Sequence, residues 1–184
     1  MNVRNSEYRF SPLVIGLHWL TVLLIIAVYA SMELRGLAPK GSALRDAMKS
    51  LHYLLGLSVL VIVVIRIGVR IQAGVKPAIQ PPMPRWQATL ADGMHYALYS
   101  FMLAMPLLGW LTLSAAGKPI VLFGLPIPSL IGTDVALSRQ LKDVHEALAT
   151  LGYVLIGLHA MAALLHHYVM RDNTLVRMLP GRRP

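Results

Sequence analysis

The sequence predicts an all-α fold, an integral membrane four-helix bundle, and three observations carry that expectation. Hydrophobic residues fill 56% of the 184 positions and charged residues only 14%, against roughly 25% charged in an ordinary soluble domain. Mean hydropathy is +0.60. The apolar residues are gathered into four long, almost uncharged runs, each near the ~20 residues that a helix needs to cross a bilayer. A single membrane domain over 1–184 uses this length, which leaves no room for an enzyme domain beside a membrane anchor.

The first run, about 10–32, lies between Arg9 and Glu33. It exceeds the hydrophobic core of a secretory signal, although Tyr29-Ala30-Ser31 faintly resembles a cleavage site, so it reads as a retained span. The second, about 50–70, ends with Arg66 and Arg70 one turn apart, where both can snorkel toward the interface. The connector AGVKPAIQPPMPRW has too many prolines for a helix interior. The third span, about 92–116, carries Pro106, a kink that neighbouring helices accommodate. From Lys118 to about Leu137, Pro119, Gly124, Pro126, Pro128 and Gly132 break the chain into an interfacial or re-entrant loop. The fourth span, about 143–170, ends in the polar tail RDNTLVRMLPGRRP.

Seventeen basic against eight acidic residues give a net charge of +9. The excess is scattered through the gaps between spans, which points to membrane topology and not to nucleic acid. Four spans place Arg4, Arg9, Arg66, Arg70, Lys76, Arg85, Arg171, Arg177, Arg182 and Arg183 on one side with both termini. Arg35, Lys40, Arg45, Lys49, Lys118, Arg139 and Lys142 fall on the other. The richer side predicts cytoplasmic termini in a bacterial inner membrane. The absence of cysteine excludes disulfides, iron–sulfur clusters, covalently attached haem and thiolate catalysis.

Ionisable residues within the bilayer mark function by default. His18, about 13 Å in from Arg9, and His159, about 18 Å in from Arg171, share one level at a rise of ~1.5 Å per residue. His52 follows Lys49 by three residues and His145 follows Lys142 by three, which sets both near the other surface. His145 and His159 lie about 21 Å apart along nearly one face of the last helix. Two bis-histidine sites result, His52 with His145 and His18 with His159. That is the arrangement a non-covalent b-type haem needs, with its ring between helices.

Gly56 and Gly152 lie where helix surface without side chains would clear such a ring, or where helices simply pack. His95 sits shallow, three residues after Asp92, as a quinone-site candidate and a rival partner for His159. His166, two turns beyond His159, is a second quinone-site candidate, and His167 reads as a solvated interface residue.

The early GLHWL, the LHYLLG of the second span and above all KDVHEALATLGYVLIGLHAMAALLHHYVMRDNTLVRMLP resemble the prokaryotic cytochrome b561 family. The resemblance covers almost the whole chain and is strongest toward the compact members of superoxide oxidase type. It implies two haem b groups, an outer one on His52 and His145 and an inner one on His18 and His159. It also implies superoxide as electron donor at the periplasmic face and ubiquinone as acceptor. A protein partner is possible but not required.

Superoxide is an anion, so Lys49, Arg139 and Lys142 are steering candidates within the basic outer set, or ordinary headgroup anchors. Two other functions stay open. One is a cytochrome b electron-transfer subunit of a separate dehydrogenase or hydrogenase. The other is a histidine-based proton or metal transporter, which lacks support from any acidic residue deep in a span, since Asp92, Asp143 and Glu146 lie at helix ends.

Overall fold

The computed structural model describes residues 4–181, so Arg182 and Arg183 lie outside the described residues. Four helices dominate: α1 (Pro12–Arg35), α2 (Ala43–Gln72), α3 (Arg85–Ala115) and α4 (Val135–Leu165). All four are long and apolar enough to cross a membrane, in an all-α, integral membrane four-helix bundle. A π-helical turn, His166–Met170, prolongs α4, and a short 3₁₀ turn, Val176–Met178, follows.

The helices begin where the sequence supplies N-caps. Ser11 Oγ accepts from the Val14 amide at 3.4 Å, Ser42 Oγ from the Arg45 amide at 3.3 Å and Asp134 Oδ1 from the Leu137 amide at 3.0 Å. Each satisfies one of the amides that a first turn leaves unpaired. Arg45 treats the end of α1 in the complementary way, its Nη1 donating to the carbonyls of Arg35 at 3.1 Å and Ala38 at 2.9 Å. The helices therefore run several residues beyond the apolar spans, since a cap fixes where a helix starts and lipid contact does not.

Side-chain exposure inverts the soluble pattern. Leu23, Ile26, Val61, Val64, Val154 and Met161 are exposed, while the small polar residues Thr21, Ser31 and Ser114 are buried. In lipid, apolar side chains lose nothing by facing outward, and small residues let helices approach closely. Pro106 is buried within α3, which continues through it.

The described residues form two compact units. One comprises 4–20, 64–100 and 151–181, and the other 21–63 and 101–150, so each takes one end of every helix. In the second unit the broken segment after Lys118 is a β-hairpin, β1 (Ile120–Leu122) pairing antiparallel with β2 (Leu125–Ile127). Phe123 at φ 50° and Gly124 at φ 83° make its two-residue turn, the positive-φ pair of a type I′ hairpin. Ile120 packs with Leu57 and Leu113, flanked by Tyr53 and Trp110, and Trp110 Nε1 donates to the Pro128 carbonyl at 3.0 Å.

In the first unit the tail is sewn to the earlier chain. Trp19 Nε1 donates to Met178 O at 2.7 Å, Arg9 Nη1 to Gly181 O at 2.7 Å and Arg9 Nη2 to Leu179 O at 2.5 Å. Arg177 Nη1 donates to the Pro77 carbonyl, and Asn173 Oδ1 accepts from the Gln80 amide at 3.0 Å.

Candidate functional site

In the second unit α2 carries His52 and α4 carries His145, and their ring centroids lie 6.2 Å apart with planes 78° from parallel. His52 Nδ1 lies 3.2 Å from the Val28 carbonyl, to which its N–H donates, with Ser31 Oγ at 3.4 Å. That bond settles the tautomer and leaves Nε2 with the lone pair. His145 Nδ1 is buried, facing the Met105 carbonyl without closing a well-formed hydrogen bond. A Cβ on Gly109 would stand 3.4 Å from His145 Cε1, so the glycine gives the ring its place on α3.

In the first unit His18 of α1 and His159 of α4 have ring centroids 6.4 Å apart, and His95 of α3 lies 5.5 Å from His159. His95 Nδ1 donates to its own helix at Ala91 O, 2.6 Å away. Arg66 Nη2 stands 3.3 Å from His18 Nδ1, with the guanidinium 5.5 Å from the centroid of the Tyr99 ring. Arg66 is therefore not a cation snorkelling to the interface; it is turned inward onto a histidine.

The spacing has a chemical meaning. A metal ion bonded at about 2 Å to one nitrogen on each of two opposed imidazoles separates their centroids by about 6 Å. His52–His145 and His18–His159 both meet that distance, and His95–His159 is closer than it. Among the described residues no three His, Cys, Asp or Glu gather as a site for a bare metal ion. Two imidazoles at that separation suit an iron whose remaining ligands come with the cofactor. Gly56, half-buried one turn beyond His52, faces open space where a side chain would begin, with no atom within 4 Å of an added Cβ. Gly152 is buried by protein.

Residues 9–181 match the prokaryotic cytochrome b561 family. The chain belongs to that family. As a cytochrome b561 it is a multi-pass inner-membrane redox protein that binds haem b and transfers electrons. It is similar to cytochrome b561 homolog 1 of Escherichia coli (strain K12), 41% identical over 175 residues that cover 95% of this chain and 99% of the relative. A probable superoxide oxidase, CybB, of Yersinia pestis is 39% identical over 175 residues, covering 95% and 98%. Cytochrome b561 homolog 2 of Escherichia coli (strain K12) is 28% identical over 180 residues, covering 97% and 95%.

The remaining candidates of this cytochrome b561 lie toward the helix ends. Lys49 pairs with Asp46 at 2.9 Å and Lys142 with Glu146 at 2.8 Å, whereas Arg139 is exposed. His166 Nδ1 meets Asp172 Oδ2 at 2.5 Å, and His167 stacks edge-on with Tyr168. Asp172 is buried, which raises its pKa, but hydrogen bonds from His166 and Thr174 outweigh burial and hold the carboxyl below its ordinary range. Gln80, His167, Arg171, Asp172, Asn173 and Val176 line a surface hollow of about 380 Å³ here.

Proposed function

We propose that this cytochrome b561 oxidises superoxide at the periplasmic face and reduces ubiquinone through two haem b groups. His52 and His145 hold the outer haem, His18 and His159 the inner one, and both termini are cytoplasmic. The observation that carries this reading is the pair of imidazole couples, 6.2 and 6.4 Å between centroids. The 39%-identical relative named a probable superoxide oxidase supports the choice of donor.

Each bound haem supplies a one-electron couple between ferric and ferrous iron. Two superoxide anions lose one electron each and leave as dioxygen, and ubiquinone takes the two electrons with two protons to become the quinol. The protein's own groups do the rest. His52 is oriented by Val28, which leaves Nε2 for a metal.

Asp172 fixes Nδ1 of His166, so its Nε2 is the atom that exchanges a proton with a quinone oxygen. His95 Nε2 is the second candidate for that role, since its Nδ1 is taken by Ala91. At the outer face the ion pairs of Lys49 and Lys142 weaken their fields, which leaves Arg139 as the strongest steering group of the three.

The test is a reduced-minus-oxidised spectrum with haem quantitation on the wild type, His52→Ala and His159→Ala. The expected result is two haems per chain, one lost in each variant, and rapid reduction of the oxidised wild type by superoxide. Retention of both haems in either variant would overturn the ligand assignment. Haem unresponsive to superoxide, with a dehydrogenase or hydrogenase subunit co-purifying, would make the protein an electron-transfer subunit instead.

A further inference from the structure

The two imidazole couples sit in different electrostatic surroundings. At His52 the ring N–H donates to a backbone carbonyl 3.2 Å away, a contact that makes the imidazole a more basic ligand and favours the more positive iron. The nearby formal charges there are of both signs: Arg35 acts on His52, and Glu146 adjoins His145.

At His18 the neighbour is a cation. Arg66 is charged at every accessible pH, lies 3.3 Å from His18 Nδ1 and acts on His159 as well. The Tyr99 ring seats it at 5.5 Å, and Arg70 stands 5.7 Å from the same ring, a cation–π clamp on two positive charges. The carboxylates of this unit are occupied elsewhere or exposed. Asp92 pairs with Lys76 at 2.5 Å, Asp172 bonds His166 at 2.5 Å, and Glu7 is exposed.

A guanidinium carries donors only, so it meets the lone pair of Nδ1. Once Nε2 of His18 binds a metal, the ring proton moves to Nδ1, the hydrogen bond from Arg66 is given up, and Arg66 stands as an uncompensated cation beside the ligand. Tyr99 retains it there. A fixed positive charge next to a redox centre favours the state that carries one positive charge fewer.

Resting on the two-haem reading above, we propose that Arg66 is a positioning residue that raises the midpoint potential of the His18–His159 haem above that of the His52–His145 haem. An electron entering at the outer couple then runs downhill to the inner one.

The test is potentiometric titration of the purified holoprotein, with haem content measured on every sample. His52→Ala, which leaves the inner haem, should titrate above His159→Ala, which leaves the outer one. In Arg66→Gln with both haems present, the preference of the electron for the inner site should fall about tenfold, ~59 mV for one electron. Arg66→Lys should restore most of it, and the outer couple should not move.

Two haems with unmoved potentials, or an outer haem titrating above the inner, would overturn the tuning role while leaving the two-haem reading intact. Expulsion of the inner haem by Arg66→Gln but not by Arg66→Lys would make Arg66 an anchor for the cofactor's own carboxylates, and would equally overturn tuning. Fewer than two haems in the wild type would sink the underlying reading itself.

Discussion

His166 Nδ1 and Asp172 Oδ2, 2.5 Å apart, join the π-helical end of α4 to the first turn of the tail across Arg171, whose φ is 56°. Asp172 is buried, and its second oxygen accepts from the Thr174 amide at 2.8 Å.

Asp172→Asn should therefore destabilise the detergent-solubilised protein by about 2 kcal/mol at neutral pH, the scale of hydrogen bonds to a charged group. Because the folded carboxyl titrates below its ordinary value, its contribution is complete above about pH 4 and is lost as pH falls through the folded pKa. Thermal unfolding of both proteins between pH 7 and pH 3 checks this. The gap should be widest at pH 7 and close in acid.

Gly56→Phe should fold, since open space lies beside the residue in the protein itself, and should lose the haem proposed to bind His52 and His145. Gly56→Ala should keep it and gain up to about 1 kcal/mol of helix propensity. Haem-to-protein ratio together with far-ultraviolet circular dichroism separates a blocked site from a misfolded chain.

Gly109 sets the position of His145 more narrowly. An alanine methyl at 3.4 Å from Cε1 is an ordinary contact, whereas the branched valine must push the ring away. Gly109→Ala should retain the spectrum of the haem proposed for His52 and His145 and Gly109→Val should shift or abolish it, read by absorption of the reduced protein.

On the face proposed as the outer one, Lys49 and Lys142 are paired with Asp46 and Glu146. The double variant Asp46→Asn, Glu146→Gln should raise the rate of superoxide-driven haem reduction about two- to threefold at low salt, with the gain vanishing at high salt. Arg139→Gln should lower it. Arg45 is already committed to the end of α1, so Arg45→Met should cost about 1–2 kcal/mol of stability and leave the salt dependence unchanged. Stopped-flow and thermal melts check the two halves.

The helices and the meeting of His18, His52, His145 and His159 were legible because apolar runs and a fixed rise per residue translate directly into depth. The true helix ends were not, as hydropathy reports lipid contact while Ser42 and Asp134 set the starts of α2 and α4 by hydrogen bonding. Arg66 reads from sequence as one of two snorkelling arginines. Only packing reveals that it turns onto His18 and Tyr99. The hairpin was hidden because Phe123, a residue without preference for positive φ, takes half of its turn. The His166–Asp172 bond spans a π turn that a 3.6-residue repeat does not anticipate.

The unit holding His18 and His159 gathers 4–20, 64–100 and 151–181, with Trp19 and Arg9 fastened to residues 178–181, whereas the other unit lies wholly within 21–150. During synthesis the His52 half can be complete while the ribosome is still making the tail. The His18 half must wait for residues 178–181, to which Trp19 and Arg9 are fastened. If the proposed two-haem reading holds, a truncation before Asp172, or a stalled ribosome, would thus leave a protein able to hold the cofactor assigned to His52 and His145 and not the one assigned to His18 and His159.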